Sequence, residues 1–154
     1  LHYAASSGNT EIYIYQNSVN KNPRDDGGVT PLHIAAYLGH LNMLKVVHTS
    51  ININAGSDFG YTPLHQAAEM NQLEVCRFII GKTDNKNPAD NNGLTPLHIA
   101  AQKGYFETCK LIISNVKDKH PVDIYGQTPR DLVDKHNQSK TRSIMFALFD
   151  NQLS

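Results

Sequence analysis

The tetrapeptide Thr-Pro-Leu-His occurs at Thr30–His33, again at Thr62–His65 and again at Thr95–His98. A weaker copy, Thr128-Pro129-Arg130-Asp131, follows, and the Thr-to-Thr spacings are 32, 33 and 33 residues. Leu1-His2-Tyr3-Ala4-Ala5 is the same run without its Thr-Pro, 31 residues before Leu32. Self-similarity at such a period constrains the fold more than any composition does. It marks a stack of small supersecondary units, none of which can bury its apolar faces alone.

The chemistry of one unit can be read residue by residue. Thr is a good helix N-cap, Pro suits the first helical position, and an apolar stretch follows. The pairs Ala35-Ala36, Ala67-Ala68 and Ala100-Ala101 are small enough to let helices approach closely. A turn residue comes next, at Gly8, Gly39, Asn71, Gly104 and Asn137, where a left-handed conformation ends the helix. The spacing then predicts a second helix with an apolar stripe in steps of three. The stripe reads Leu41, Leu44, Val47; then Leu73, Cys76, Ile79; then Phe106, Cys109, Ile112. Polar loops rich in Asn, Asp, Pro and Gly close each unit, such as Asn22–Gly28 and Asn87–Gly93, and predict tight turns or hairpins.

Two short helices and a turn with Thr-Pro-Leu-His at this period resemble the ankyrin repeat. The resemblance covers essentially the whole chain. It implies a single domain over 1–154, a helix-rich, all-α solenoid with β-hairpin or turn fingers. The units run 1–24 (truncated), 25–56, 57–89, 90–122 and 123–154. In the last unit Leu-His becomes Arg130-Asp131, the Ala pair becomes Val133-Asp134, and Arg142 stands where Cys109 does. Polar replacements of this kind suit a C-terminal capping repeat. At the front, the chain opens inside a motif, which predicts a fragment of a longer protein, with further repeats before Leu1 an open question.

Lys+Arg and Asp+Glu number 14 each, so the formal net charge is zero. That balance argues against nucleic acid as the main partner. No apolar run approaches the roughly 20 residues that span a bilayer, so no membrane insertion is expected. Two cysteines, Cys76 and Cys109, make no disulfide framework and fit an intracellular protein, cytoplasmic or nuclear. They lie on the second-helix stripe, where buried, inert thiols are expected. Asn137-Gln138-Ser139 is the one glycosylation sequon and reads as a chance match.

Four of the eight histidines, His2, His33, His65 and His98, hold equivalent repeat positions. Stacked units lie about 10 Å apart, whereas zinc needs donors converging to about 2 Å from one point. No metal and no cofactor is expected. The resemblance implies instead a structural network of Thr30, His33, Thr62, His65, Thr95 and His98 that ties neighbouring units. There is no G-x-S-x-G, H-E-x-x-H, P-loop or G-x-G-x-x-G, so catalysis is not expected. The resemblance also marks Asn54, in Ile53-Asn54-Ala55, as the position hydroxylated in some ankyrin repeats; Asn52 stands where the acidic residue of that context would be.

What remains is the surface. In ankyrin repeats the finger tips and the exposed side of the first helix form a concave partner-binding face. The matching positions here are Asp26, Gly27, Val29, Tyr37 and Leu38, then Asp58, Phe59, Tyr61, Glu69 and Met70. Next come Asn91, Asn92, Leu94, Gln102 and Lys103, and lastly Ile124, Tyr125, Gln127, Lys135 and His136. Solvated scaffold sites would carry Asp, Asn, Lys and Glu. Tyr37, Leu38, Phe59, Tyr61, Met70, Leu94, Ile124 and Tyr125 instead have the composition of a protein interface. The expected function is recognition of a protein or peptide by a monomeric, non-catalytic module. The alternative is a targeting or scaffold segment of a larger enzyme or channel.

Overall fold

The computed structural model describes residues 1–9, 23–47, 52–133 and 139–151. Among these residues the chain forms α1 (His2–Ser7), α2 (Pro31–Leu38), α3 (Leu41–Val47), α4 (Pro63–Glu69), α5 (Leu73–Ile80), α6 (Pro96–Lys103), α7 (Phe106–Ile113) and α8 (Ser139–Asp150). The first helices α1, α2, α4 and α6 stack on one another, and α3, α5 and α7 pack behind them.

Each first helix begins as the sequence predicts. Thr30, Thr62 and Thr95 are extended N-caps, and Pro31, Pro63 and Pro96 fill the first turn, where the missing N–H has no helical partner to lose. The ends also match. Gly8, Gly39 and Gly104 turn left-handed at φ 68°, 79° and 74°, and Asn71 does the same at φ 53°. In this geometry His40 N–H reaches back to the Ala35 carbonyl at 2.8 Å and Tyr105 N–H to Ala100 at 2.9 Å, which satisfies carbonyls that the helix leaves open. The expected turn at Asn137 lies outside the described residues.

The core runs unbroken through the units. Leu32, Leu64 and Leu97 are fully buried, as are the three Ala pairs they precede. Leu44, Cys76, Ile79, Cys109 and Ile112 fill the second-helix layer, and Leu41, Leu73 and Phe106 cover its edge half-buried. The stripe continues into α8, where Met145 holds the position of Ile112 and is buried beside Phe149. The fifth unit departs from the others: residues 129–133 form turns instead of a first helix. Arg142, at the Cys109 position, is half-buried with its guanidinium 5.2 Å from the Phe146 ring. The fingers are tight turns; among the described residues none is in a strand.

Candidate functional site

The Thr and His side chains build one continuous ladder. Thr30, Thr62 and Thr95 each donate their N–H to the Nδ1 of the histidine three residues on, at 3.1, 3.0 and 3.1 Å. Nδ1 is therefore the unprotonated nitrogen, and the proton sits on Nε2. That Nε2 reaches the next unit: His33 to the Tyr61 carbonyl at 2.7 Å, His65 to Leu94 at 3.0 Å, His98 to Gln127 at 3.1 Å. His2 makes the same step to Val29 at 3.0 Å. The neutral imidazole is one of few side chains that can accept on one edge and donate on the other, which is why the position is histidine.

Asp131 shows the rule by breaking it. Its carboxylate accepts the N–H of Thr128 at 2.9 Å and the hydroxyl of Thr128 at 2.6 Å, as Nδ1 does elsewhere. A carboxylate has no second edge with a proton, so the donor ladder stops there. These two bonds hold the Asp131 carboxyl below the usual carboxylate range.

The fingers are built by an aspartate at their first position. Asp25 accepts the N–H groups of Gly27 and Val29, Asp90 those of Asn92 and Leu94, and Asp123 those of Tyr125 and Gln127, all at 2.8 or 2.9 Å. Ser57 takes the place in the third unit and makes the weaker bond from Tyr61 N–H at 3.3 Å. One backbone bond then joins each finger to the next: Asp58 N–H to Gly27, Asn91 to Phe59, Ile124 to Asn92. Arg24 adds a side-chain tie, donating to the Gly56 carbonyl at 2.8 Å and to Asp58 at 2.7 Å.

On this frame the eight anticipated interface residues divide into two sets. Phe59, Ile124 and Tyr125 stand at finger tips with 72%, 61% and 80% of their surface open, and Tyr37, Leu38 and Met70 are exposed at the ends of α2 and α4. Tyr61 and Leu94 are only half-exposed. The Tyr61 ring stacks on His65 at 4.7 Å, and its hydroxyl donates to Glu69 at 3.1 Å. The reason is positional. Val29, Tyr61, Leu94 and Gln127 occupy the fifth finger position, whose carbonyl receives the preceding histidine; the first three are half-buried there and Gln127 is exposed. Lys135 and His136 lie outside the described residues. Tyr3, 77% exposed on α1, was not among the anticipated residues. It aligns with Ile34, Gln66 and Ile99 in the other first helices.

Val29, His33, Ile34, Tyr37, Leu38 and Gln66 enclose an open groove of about 260 Å³ between α2 and α4. Asn54, the candidate modification position, donates from its side-chain amide to Thr83 and, at 3.0 Å, to the Asn85 carbonyl; its Oδ1 is buried without a partner. No group of three or more His, Cys, Asp or Glu among the described residues could hold a metal ion. No described helix is long and apolar enough to cross a membrane. Burial pushes the Cys76 thiol up to about 12 and the Cys109 thiol higher still, so neither supplies thiolate near neutral pH. Burial, opposed by the bond to the next unit's carbonyl, lowers the basicity of all three inter-unit histidines, His65 down to about 4.

A family model described as ankyrin repeats (3 copies) matches residues 1–57 and 46–128. No curated protein matches the chain. The chain belongs to the ankyrin repeat family.

Proposed function

We propose that the chain is a non-catalytic recognition module that binds a protein or an extended peptide with its concave face, the one formed by the fingers and first helices. Ankyrin repeats are generally protein–protein interaction modules. The observation that carries the finer reading is the exposure of large apolar side chains in register on one side of the stack. Phe59, Ile124 and Tyr125 project from fingers whose shape is held by turn and inter-finger backbone bonds, and none of the three side chains belongs to the core. Tyr37, Leu38 and Met70 extend the surface onto the adjoining helices. Exposed aromatic and Met side chains of this kind characterise interface centres. Tyr61 and Leu94 support the face from beneath.

The test is a pull-down from cell extract with the wild-type chain and with a Phe59→Ala/Tyr125→Ala double variant. Neither residue packs in the core, so the variant should keep its helical circular dichroism. Loss of the retained proteins supports the reading. Identical retention by the folded variant rejects it.

A further inference from the structure

We infer that the occupant of the finger and first-helix face is a basic-apolar peptide segment, one that places Lys or Arg within a few residues of a Leu, Ile or aromatic side chain; this rests on the proposed function. The formal neutrality of the chain conceals a segregation of charge by element. Among the described residues, fingers and first helices carry Asp25, Asp26, Asp58, Glu69, Asp90 and Asp123 against Arg24 and Lys103, and the turn that replaces the fifth unit's first helix adds one of each sign, Arg130 and Asp131. The second helices α3, α5 and α7, with the loops 81–88 and 114–121, carry seven Lys or Arg against four Asp or Glu. The face with the exposed apolar side chains is thus the negative one, and its field favours a cationic partner.

The groove between α2 and α4 gives this face a point of anchorage. Its wall residue Val29 donates its N–H to the Asp25 carboxylate, which puts negative charge at one rim. Glu69 lies one turn beyond the wall residue Gln66 on α4, its carboxylate accepting from the Tyr61 hydroxyl. Asp26 is exposed on the finger beside Asp25. At about 260 Å³ the groove falls short of the ~300 Å³ at which small-molecule pockets begin, and it is open. It suits one inserted apolar side chain, with cations of the same segment meeting the carboxylates on either side. The finger tips at the second position grade from Asp26 and Asp58 through Asn91 to Ile124, so an extended segment would lay its basic end over the second and third units and its apolar end over the fifth.

The experiment is selection of a random dodecapeptide display library on the full 154-residue chain, followed by affinity measurement on the enriched peptides. The expected peptides combine Lys or Arg with Leu, Ile, Phe or Tyr. Their affinity should fall about tenfold on Asp26→Asn/Glu69→Gln, and fall further on Leu38→Ser. Both variants alter exposed or half-exposed groups, and Gln at 69 can still accept from Tyr61. Peptides that need Leu38 but show no basic excess, or that ignore the double variant, overturn this inference and leave the binding face standing. Peptides that ignore Leu38, Phe59 and Tyr125 together overturn the face as well. Enrichment of acidic peptides, or no enrichment, also overturns the inference.

Discussion

His98 and Gln127 are joined across a unit boundary, the histidine Nε2 lying 3.1 Å from the glutamine carbonyl, while Nδ1 of the same ring receives the N–H of Thr95. One fully buried ring therefore caps its own helix and fastens the next finger. His98→Ala should leave the Thr95 N–H and the Gln127 carbonyl without partners. Each buried unpaired group costs about 1–3 kcal/mol, so the total loss should be about 2–6 kcal/mol. Urea denaturation measures it, and amide exchange should quicken first in residues 123–133. A loss below about 0.5 kcal/mol would show that the ring is not the tie.

The apolar layer makes a second prediction. Leu97 is fully buried between its own unit and its neighbours. Leu97→Ala should cost about 2–5 kcal/mol through lost burial and the remaining cavity. The same denaturation experiment checks it, and an unchanged midpoint would contradict the stacking register.

A pair of glycines separates backbone strain from finger stacking. Gly93 and Gly126 have nearly the same left-handed φ, 76° and 73°. A Cβ on Gly93 would fall 2.9 Å from the Asp123 Cα on the next finger, whereas one on Gly126 would meet nothing within 4 Å. Gly126→Ala should therefore cost about 1 kcal/mol, the strain of the conformation alone. Gly93→Ala should cost about 1–3 kcal/mol more, since backbone must move to make room. Equal losses would mean that neighbouring fingers do not touch as described.

Acid should loosen the array. The inter-unit histidines are less basic when folded, chiefly because burial disfavours their charged form; the helix dipole, suggested by their first-turn position, is not needed to explain it. The unfolded chain then binds more protons in acid, so this stability is present above about pH 6.5 and is lost as the pH falls. For His65 the loss continues down to about pH 4 and amounts to about 3 kcal/mol. NMR titration should place all three rings below about 6.5, and a ring titrating above it would overturn the assignment of Nδ1 as acceptor.

What the sequence disclosed and withheld follows from the range of each interaction. The Thr-Pro start, the Gly or Asn stop and the buried Leu and Ala positions are local, and periodicity exposes them three times over. The partial burial of Tyr61 is not local. It arises because the fifth finger position receives His33 from the preceding unit and lies against His65 of its own, which only the stacked array shows. Tyr3 stands in register with Ile34, Gln66 and Ile99, which are half-buried or buried in their own units, so the motif does not mark its position as an exposed one. The segregation of charge was likewise hidden, because it becomes visible only when residues are sorted by face and not by position along the chain.

The affinity of an isolated partner for single-site variants tests the central claim most directly. Tyr125→Ala and Phe59→Ala remove exposed finger side chains, and Lys110→Ala removes an exposed charge from α7. An aromatic anchor at an interface centre is worth about 2 kcal/mol or more, which is about thirtyfold in affinity. Calorimetric titration should show a loss of that order for Tyr125→Ala or Phe59→Ala and a change within about twofold for Lys110→Ala. Undiminished affinity in both aromatic variants, with binding lost in Lys110→Ala, would put the site on the opposite face and contradict the account.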